Sequence, residues 1–451
     1  MIPAQPPASP SRRGTRGRST GVSLVVCSSL SLPLVCRDNG VIQGDDLAAA
    51  VTVSDSAGLE IVRVSYGAME RSPQMAASEV PTTTLGQIAG REEYLFGHIQ
   101  TALFVDSAGT VAIVDDLTQT IRVFSSRGRF RTQFGGSGRG PGEFTRIRAV
   151  TADVTGTLAV HDAGLDRLTW IDIETGTVRV RTGAAAYYCG QRRRLGQASC
   201  GVVGILKDGT LLVKSSAPGI VTGATGQELE QRSQATLALV GDTWTQPLGT
   251  FDQGARFHYF ARDADGRPYV EVFPEIFGGE LVWATGVELV VVGRTDIGRL
   301  WIWDMQGKLV RVIDIVRPPR AVVDDELVAL RDADWGGSTA RTEAASAWIE
   351  RTTRAEYHPV FGDLMIDSQD RLWLAEDTPV EILNRRRRGR RWFVIEQAGS
   401  PSRVVTLPSS AHSTVLALAN QHALVRTVDS LGVQRVLRFS IDAVHSGEIR
   451  E

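Results

Sequence analysis

The sequence predicts an all-β fold of the β-propeller type, with six four-stranded antiparallel sheets arranged in a ring. Three observations carry this prediction. A two-strand unit recurs six times along the 451 residues, with an Asp-x-x-Gly turn in its clearest copies, and periods of about 40–50 residues with four strands each are typical of propellers. Further strand-like runs follow every copy of the unit. Glycine is also enriched, with 46 residues, as a fold with many tight turns requires.

The copies share one pattern, although the third has a shorter turn and the fourth is degenerate. An apolar strand leads into a turn with Asp or Asn early and Gly late, where the chain needs a left-handed residue, and a second strand alternates with period two. In the fifth copy, Asp370 stands where Gly is expected. The copies are Leu103–Asp116, Val150–Asp162, Val203–Ser215, Leu281–Arg294, Asp363–Asp377 and Val415–Asp429.

The number of strands also predicts how the ring closes. Two strands follow each of the first five copies, but only one, VQRVLRFSI, follows the sixth. LEIVRVSY (Leu59–Tyr66) is a spare strand near the N-terminus, and we expect it to complete the sixth unit, because an open array leaves a sheet edge exposed. Two β-sandwiches side by side are the competing arrangement, but they would not predict one missing and one spare strand at opposite ends.

The glycine-rich stretch FGGSGRGPGEF (Phe134–Phe144) lies between the first two units. A phosphate-binding loop would need a helix directly after the glycines. Here TRIRAVTADVTG follows, which is a strand and a turn, and no GK[ST] motif is present. The stretch is therefore predicted to connect two blades.

Two segments interrupt the repeats. Asp252–Glu280 is predicted to be a long loop that crosses one face before the fourth unit. Residues 320–358 are predicted to form a small helical insertion between the fourth and fifth units, because alanines and apolar residues recur at helical spacing. Asp324 and Asp325 suit the positive end of a helix dipole.

Residues 1–36 are expected to be an export signal or a lipoprotein leader. Residues 1–37 contain no Asp or Glu but carry arginines ahead of a modest apolar, Ser-rich segment, the order typical of a signal peptide. Cys36 is the candidate for lipidation, although Val35 stands where a lipobox has a small residue. A disordered cytosolic leader is the alternative. Residues 37–57 are predicted to be a linker, and residues 58–445 the propeller.

Cys189 and Cys200 bracket a polar loop, CGQRRRLGQASC. In an exported chain, two cysteines that close one loop indicate a disulfide, and two unpaired thiols are the alternative. A zinc site is not expected, because no histidine lies near the pair in sequence. The formal net charge of -2 gives no overall attraction for nucleic acid, and a mean hydropathy of -0.06 argues against a polytopic membrane protein.

Several of these segments together resemble a known family. The matching segments are GSGRGPGEF, SAGLEIV, PVFGDLMIDSQDRLWLAED after a helical insertion, and the terminal VLRFSI. They are similar to segments of the bacterial six-bladed β-propeller proteins related to NHL repeats. The resemblance covers about residues 55–441. It implies an exported or lipid-anchored propeller, and it implies no particular reaction.

Charged residues at the ends of the second strands are the candidate ligand site. In a propeller the loops between strands two and three surround one mouth of the central channel, and a ring of carboxylates with a histidine suits Ca²⁺ or another divalent ion. The alternative is structural: each Asp caps its turn and meets an arginine of the third strand, such as Arg122 or Arg167. The candidates are Asp115, Asp116, His161, Asp162, Arg294, Glu376 and Asp377.

No residue is assigned a catalytic role, since GxSxG and HExxH motifs are absent from the sequence. The arginine runs Arg192–Arg194 and Asn384–Arg391 suit an anionic cell-surface polymer or a solvated hairpin tip. We expect a binding or scaffold module of the periplasm, outer membrane or cell exterior, with a protein, peptide or carbohydrate ligand and without nucleic acid. A lipid anchor would be its only link to the membrane. A metal-dependent, lactonase-like hydrolase or lyase with its site at the channel mouth is the alternative.

Overall fold

The computed structural model describes residues 51–153, 155–196, 199–217, 228–262, 266–331, 339–376, 391–408 and 413–444. The predictions for the leader with Cys36, for Asp377 and for Asn384–Arg390 lie outside these residues. No helix among the described residues is long and apolar enough to cross a membrane.

The chain begins with short elements that precede the blades. These are β1 (Val51–Ser56), β2 (Leu59–Ser65), helix α1 (Tyr66–Glu70), β3 (Gln74–Ala77), β4 (Thr83–Leu85) and a single 3-10 turn at Glu92–Tyr94.

From residue 99 onward, successive strands form successive blades. Blades 1 and 2 are β5 (Ile99–Phe104), β6 (Val111–Asp115), β7 (Thr120–Phe124), β8 (Phe130–Gly135), β9 (Ile147–Ala152), β10 (Thr157–Asp162), β11 (Arg167–Asp172) and β12 (Val178–Thr182). After helix α2 (Ala184–Arg194), blades 3 and 4 are β13 (Ser199–Ile205), β14 (Leu211–Ser216), β15 (Glu228–Val240), β16 (Thr245–Arg262), β17 (Pro268–Pro274), β18 (Leu281–Thr285), β19 (Leu289–Arg294), β20 (Arg299–Asp304) and β21 (Leu309–Val316).

Helices α3 (Asp324–Arg331) and α4 (Thr339–Arg351) then separate blades 4 and 5, as predicted. Blades 5 and 6 are β22 (Asp363–Ile366), β23 (Leu372–Ala375), β24 (Arg391–Ile395), β25 (Pro401–Thr406), β26 (Ser413–Ala419), β27 (His422–Val428) and β28 (Gln434–Ala443). The predicted six-bladed, all-β propeller is confirmed.

The core shows that the ring is closed. Among the described residues, one buried apolar cluster lies between each pair of adjacent blades. The cluster between blades 6 and 1 joins Leu424 and Val436 to Ile113 and Phe124, all at most 1% exposed. The last blade packs on the first as each other pair packs, so that within the described part of the chain no blade-sized apolar face is open to water.

The predicted closing strand was wrong. Leu59–Ser65 does not complete blade 6; it pairs in parallel with β21 at the outer edge of blade 4. The strand that completes blade 6 is β4, antiparallel to β28. Between them, β3 pairs with β25 and β28, so residues 51–85 run along the outer edges of blades 4, 5 and 6. We call these residues the belt.

Three further predictions from the sequence are corrected. Val51–Ser56 was assigned to a linker, but it forms β1 and pairs with β2. The predicted loop Asp252–Glu280 is mostly strand, because β15, β16 and β17 continue as an antiparallel sheet beyond the blade. The predicted polar loop after Cys189 is largely helical, since Cys189 lies inside α2.

Helices α3 and α4 pack on this extended part of blade 3. Trp348 is fully buried and stacks on Phe273 at 5.0 Å, and its indole N–H donates to the carbonyl of Pro274 at 2.7 Å. We call α3, α4 and the extended part of β15–β17 the cap. It lies on the connection face, which we define as the face carrying the loops between second and third strands and the connections between blades.

The turn between the first and second strands of blade 1 follows the predicted pattern, and that of blade 5 departs from it. In blade 1, Asp106 accepts the N–H of Thr110 at 2.9 Å, and Gly109 takes a left-handed φ of 81°. Asp370 adopts a φ of 56° at the corresponding place in blade 5. Its carboxylate accepts N–H groups of Val287 and Glu288 in blade 4, so this side chain offsets the backbone strain by bonding to the neighbouring blade.

Candidate functional site

A cavity runs along the axis of the ring. It has a volume of about 380 Å³ and is lined by residues of the first strand of all six blades or of the turn that follows. Its surface is divided almost equally between polar and apolar atoms, and the apolar part includes Leu103, Val150, Trp283 and Ile366. A concave space in which a few polar groups are set among apolar side chains is the usual form of a small-molecule site, and this cavity has both kinds of surface.

The lining contains three charged residues, and two of them are neutralised by neighbours. Lys207 forms an ion pair with Glu288. Asp367 is fully buried and pairs with Arg371 at 2.7 Å, and it also accepts the indole N–H of Trp373 at 2.9 Å. Arg148, the second residue of β9, has no ion-pair or hydrogen-bond partner among the described residues. It is therefore the cation of the cavity that is available to a ligand.

Gln100 lines the cavity close to Arg148. Its Nε2 donates to the carbonyl of Ile147 at 3.2 Å, and its buried Oε1 has no hydrogen-bond partner among the described residues. An unsatisfied buried acceptor costs about 1–3 kcal/mol, so this oxygen is suited to a water or a ligand donor.

Of the residues predicted from the sequence, Asp115 and Asp162 have the same environment in two successive blades. Asp162 accepts the N–H groups of Thr145 at 2.7 Å and Gly164 at 2.8 Å. Burial opposes its charge, but hydrogen bonds, led by that of Thr145, outweigh burial and lower the pKa of Asp162. Asp115 accepts the N–H of Gly97 at 2.8 Å. Both carboxylates therefore tie a blade connection to the loop after the second strand.

The two arginines named for the structural alternative behave differently. Arg122 approaches Asp115 only to 4.0 Å. Arg167 donates instead to the carbonyls of Arg139 and Gly140 at 3.0 Å. The glycine-rich stretch is thus a blade connection, as predicted, and an arginine of the next blade holds its backbone.

Asp116 and His161 lie on opposite sides of the first blade interface. Asp116 contacts Nδ1 of the exposed His98 at 2.5 Å. His161 is 3% exposed, and its Nε2 lies 3.5 Å from Asp166, whose other oxygen accepts the N–H of Ala186 in α2 at 2.8 Å. Burial raises the pKa of Asp166, but the contact with His161, together with the backbone hydrogen bonds, outweighs burial, so the pKa is lowered.

The disulfide between Cys189 and Cys200 is present. Cys189 lies in α2 and Cys200 in β13, the first strand of blade 3, so the bond fixes this helix to the strand that lines the cavity. In the same region, Arg192 donates to the hydroxyl of Ser215 at 3.1 Å.

Arg294 and Glu376 are held in ion-pair networks. Arg294 donates to both oxygens of Asp296, at 3.0 and 2.5 Å; burial lowers its pKa, but Asp296 and then Asp252 outweigh this effect and raise it. Glu376 accepts the phenol of Tyr66 at 2.5 Å and pairs with Arg391 at 3.1 Å. Burial and the bond to Glu376 raise the pKa of Tyr66 well above its ordinary value.

The structure does not gather the predicted residues into one site. Within the described part of the chain, no hydrogen bond or ion pair joins predicted residues from different blades, and no three His, Cys, Asp or Glu side chains lie close enough to hold a metal ion. The sequence-based reasoning missed Arg148 and Gln100. The one available signal was an arginine at the second position of a first strand, directly after the glycine-rich connection.

Comparison with known proteins places the chain by its fold. No curated protein matches it. Among solved structures, it is similar to a candidate exported protein of Bacteroides fragilis NCTC 9343, with 8% identity over 85% of this chain and 100% of that chain and a TM-score of 0.38. A DUF4221 family member from Bacteroides vulgatus ATCC 8482 has 10% identity over 83% and 99%, with a TM-score of 0.41. A calcium-binding regucalcin from Agrobacterium tumefaciens C58 has 11% identity over 80% and 97%, with a TM-score of 0.32.

These structural similarities are too weak to carry information about function. The sequence match is more specific: residues 87–182, which include blades 1 and 2 and the glycine-rich connection, match the model of family DUF5128, described as a 6-bladed beta-propeller. The resemblance to six-bladed propeller proteins is thereby confirmed, and over residues 87–182 the chain carries the sequence pattern of DUF5128.

Proposed function

We propose that this protein is an extracytoplasmic binding module of the cell envelope that holds a small ligand in the cavity at the centre of its six blades. The single observation that carries the proposal is the cavity itself: about 380 Å³, with both polar and apolar surface and the unpaired cation Arg148 in its wall. A cavity of this volume lies within the range of small-molecule sites.

The disulfide supports an extracytoplasmic location. Disulfides persist in oxidising environments and are rare in the cytosol of most organisms, and the bond between Cys189 and Cys200 fixes α2 beside the cavity. An exported protein, free in the periplasm or extracellular medium or held by lipid on Cys36, fits this chemistry. Mass spectrometry of the membrane fraction tests the anchor: an acylated Cys36 at the mature N-terminus supports it, and a mature chain that begins elsewhere rejects it.

Dye binding tests the cavity. N-phenyl-1-naphthylamine, a neutral dye that fluoresces in apolar surroundings, is titrated into the purified mature protein. Ala149→Phe and Ala417→Phe, which place a bulky ring at lining positions of two different blades, should each reduce its binding strongly in protein that keeps its tertiary packing. Ala398→Phe, in an exposed turn of blade 5, is the matched control and should leave binding unchanged. Binding that survives both cavity-filling substitutions in folded protein would reject the proposal.

The described residues do not favour the metal-dependent alternative. A lactonase-like site needs several carboxylates around one ion, whereas Asp115 and Asp162 already accept several backbone N–H groups. These two carboxylates are therefore engaged by the backbone and are not free to hold a metal ion.

A further inference from the structure

We propose that the ligand of the central cavity is a small organic anion with an apolar body, and that Arg148 binds its acidic group. This inference rests on the function proposed above, because it names the ligand class of the same cavity.

The balance of charge in the cavity favours an anion. The carboxylate of Asp367 is engaged by Arg371 and Trp373 and has no exposed side-chain surface, so it presents no free negative charge to a ligand. The ammonium group of Lys207 is neutralised by Glu288 at the end of the cavity opposite Arg148. Arg148 thus contributes a net positive charge in a wall whose other charged groups are paired and which combines neutral polar and apolar surface. A guanidinium group binds carboxylates and related acids with two parallel hydrogen bonds.

The backbone before Arg148 is held firmly. The N–H of Arg146 donates to Asp162 at 3.1 Å, and the N–H of Ile147 donates to Gln119 at 2.8 Å. The carbonyl of Ile147 accepts from Gln100. These bonds come from blades 1 and 2. They fix the start of β9, and with it the backbone next to Arg148, before a ligand binds. A binding group on a fixed backbone loses less conformational entropy when it pairs with a ligand.

The remaining wall defines the body of the ligand. Leu103, Val150 and Ile366 contribute aliphatic side chains from three blades, and each also packs against a blade interface. Trp283 adds an aromatic ring. Burying apolar area against these side chains contributes binding free energy that an ion without an apolar body would not obtain. A compact aromatic or aliphatic monoacid satisfies both parts of the wall.

Two dyes with related aromatic bodies test this inference. 8-Anilinonaphthalene-1-sulfonate is an anion, and N-phenyl-1-naphthylamine has the same ring system without the acid. Arg148→Gln should weaken binding of the anionic dye at least about tenfold, as expected for loss of a hydrogen bond to a charged group, and should change binding of the neutral dye less than about twofold. Arg127→Gln, on an exposed turn of blade 1, is the matched control and should change neither.

The outcomes separate this inference from the function it rests on. If Arg148→Gln weakens both dyes equally or neither dye, the anion inference is rejected, while loss of binding in the cavity-filling variants still supports the proposed function. If the wild-type protein binds neither dye, or the cavity-filling variants bind both as the wild type does, both proposals fail. Near-ultraviolet circular dichroism of every variant confirms that the tertiary packing is retained, because the anionic dye also binds partly folded states.

Discussion

The carboxylate of Asp162 accepts a hydrogen bond from the backbone N–H of Thr145 at 2.7 Å. These residues lie at the two ends of the innermost hairpin of blade 2, so this bond joins the connection that enters the blade to the end of its second strand. Asp115 makes the equivalent bond to Gly97 at 2.8 Å in blade 1. The repeated aspartate therefore sets the position at which each of these first strands starts along the cavity.

Asp162→Asn should lower the free energy of unfolding by about 1–3 kcal/mol at pH 7, because one acceptor oxygen becomes an amide group that faces backbone donors. The folded pKa of Asp162 is lowered. Its contribution is therefore complete above the unfolded pKa of about 4 and is lost as the pH falls through the lower, folded pKa. Denaturant unfolding from pH 7 to pH 3 should show the difference between variant and wild type shrinking below about pH 4.

The exposed Asp325, at the start of α3, supplies the control for this experiment. Asp325→Asn should change the free energy of unfolding by less than about 0.5 kcal/mol. A difference between Asp162→Asn and the wild type that stays constant down to pH 3 would contradict the linkage argument.

Much of the fold could be predicted because each blade is formed by consecutive strands, whose pattern is visible within one short stretch of sequence. The period-two strands and the Asp-x-x-Gly turns give six blades without any long-range information. The closing strand could not be predicted in this way. Thr83–Leu85 has only three residues and no alternation, whereas Leu59–Ser65 has a strong strand pattern because it is buried against blade 4. Which of these two strands completes blade 6 is decided by packing between blades, which the local sequence pattern does not show.

The candidate site was harder to predict for a related reason. Its lining comes from six segments that are distant in the sequence, and a single arginine such as Arg148 carries no motif. The aspartates gave a clear repeated signal, but in Asp115 and Asp162 that signal reports bonds to the backbone. The same holds for Asp370, which stands where the turn pattern predicts Gly. Its carboxylate accepts backbone N–H groups of blade 4, a contact across blades that the local pattern does not reveal.

The short strand β4 should be essential to closure. Leu85→Ala should destabilise the protein by about 2–4 kcal/mol, because Leu85 is 2% exposed and packs between blades 6 and 1. Val80, also in the belt, is 73% exposed, and Val80→Ala should have little effect. Thermal unfolding of the two variants measures the difference. Equal stabilities would show that β4 does not hold the ring together.

The disulfide should contribute about 2–3 kcal/mol, as the chain-entropy model gives for a closed loop of 11 residues. The double substitution Cys189→Ala, Cys200→Ala should lower the midpoint of thermal unfolding to the value of the reduced wild-type protein. Reductant should then have no further effect on the variant. Thiol labelling of the denatured, unreduced mature protein should find neither Cys189 nor Cys200 free, and a labelled thiol at either position would contradict the bond.

The bond from Tyr66 to Glu376 fixes the belt to blade 5 across 310 residues of sequence. Because the pKa of Tyr66 is raised by burial and by Glu376, its stabilising contribution is complete below the unfolded pKa of about 10 and is lost as the pH rises above that value. Tyr66→Phe should cost about 1 kcal/mol at pH 7 and should make the free energy of unfolding fall less steeply between pH 10 and pH 11. Tyr187→Phe, at a residue that is 74% exposed, should follow the wild-type pH dependence. If the alkaline slopes of wild type and Tyr66→Phe coincide, Tyr66 ionises as readily in the folded protein as in the unfolded chain, and the bond to Glu376 does not anchor the belt.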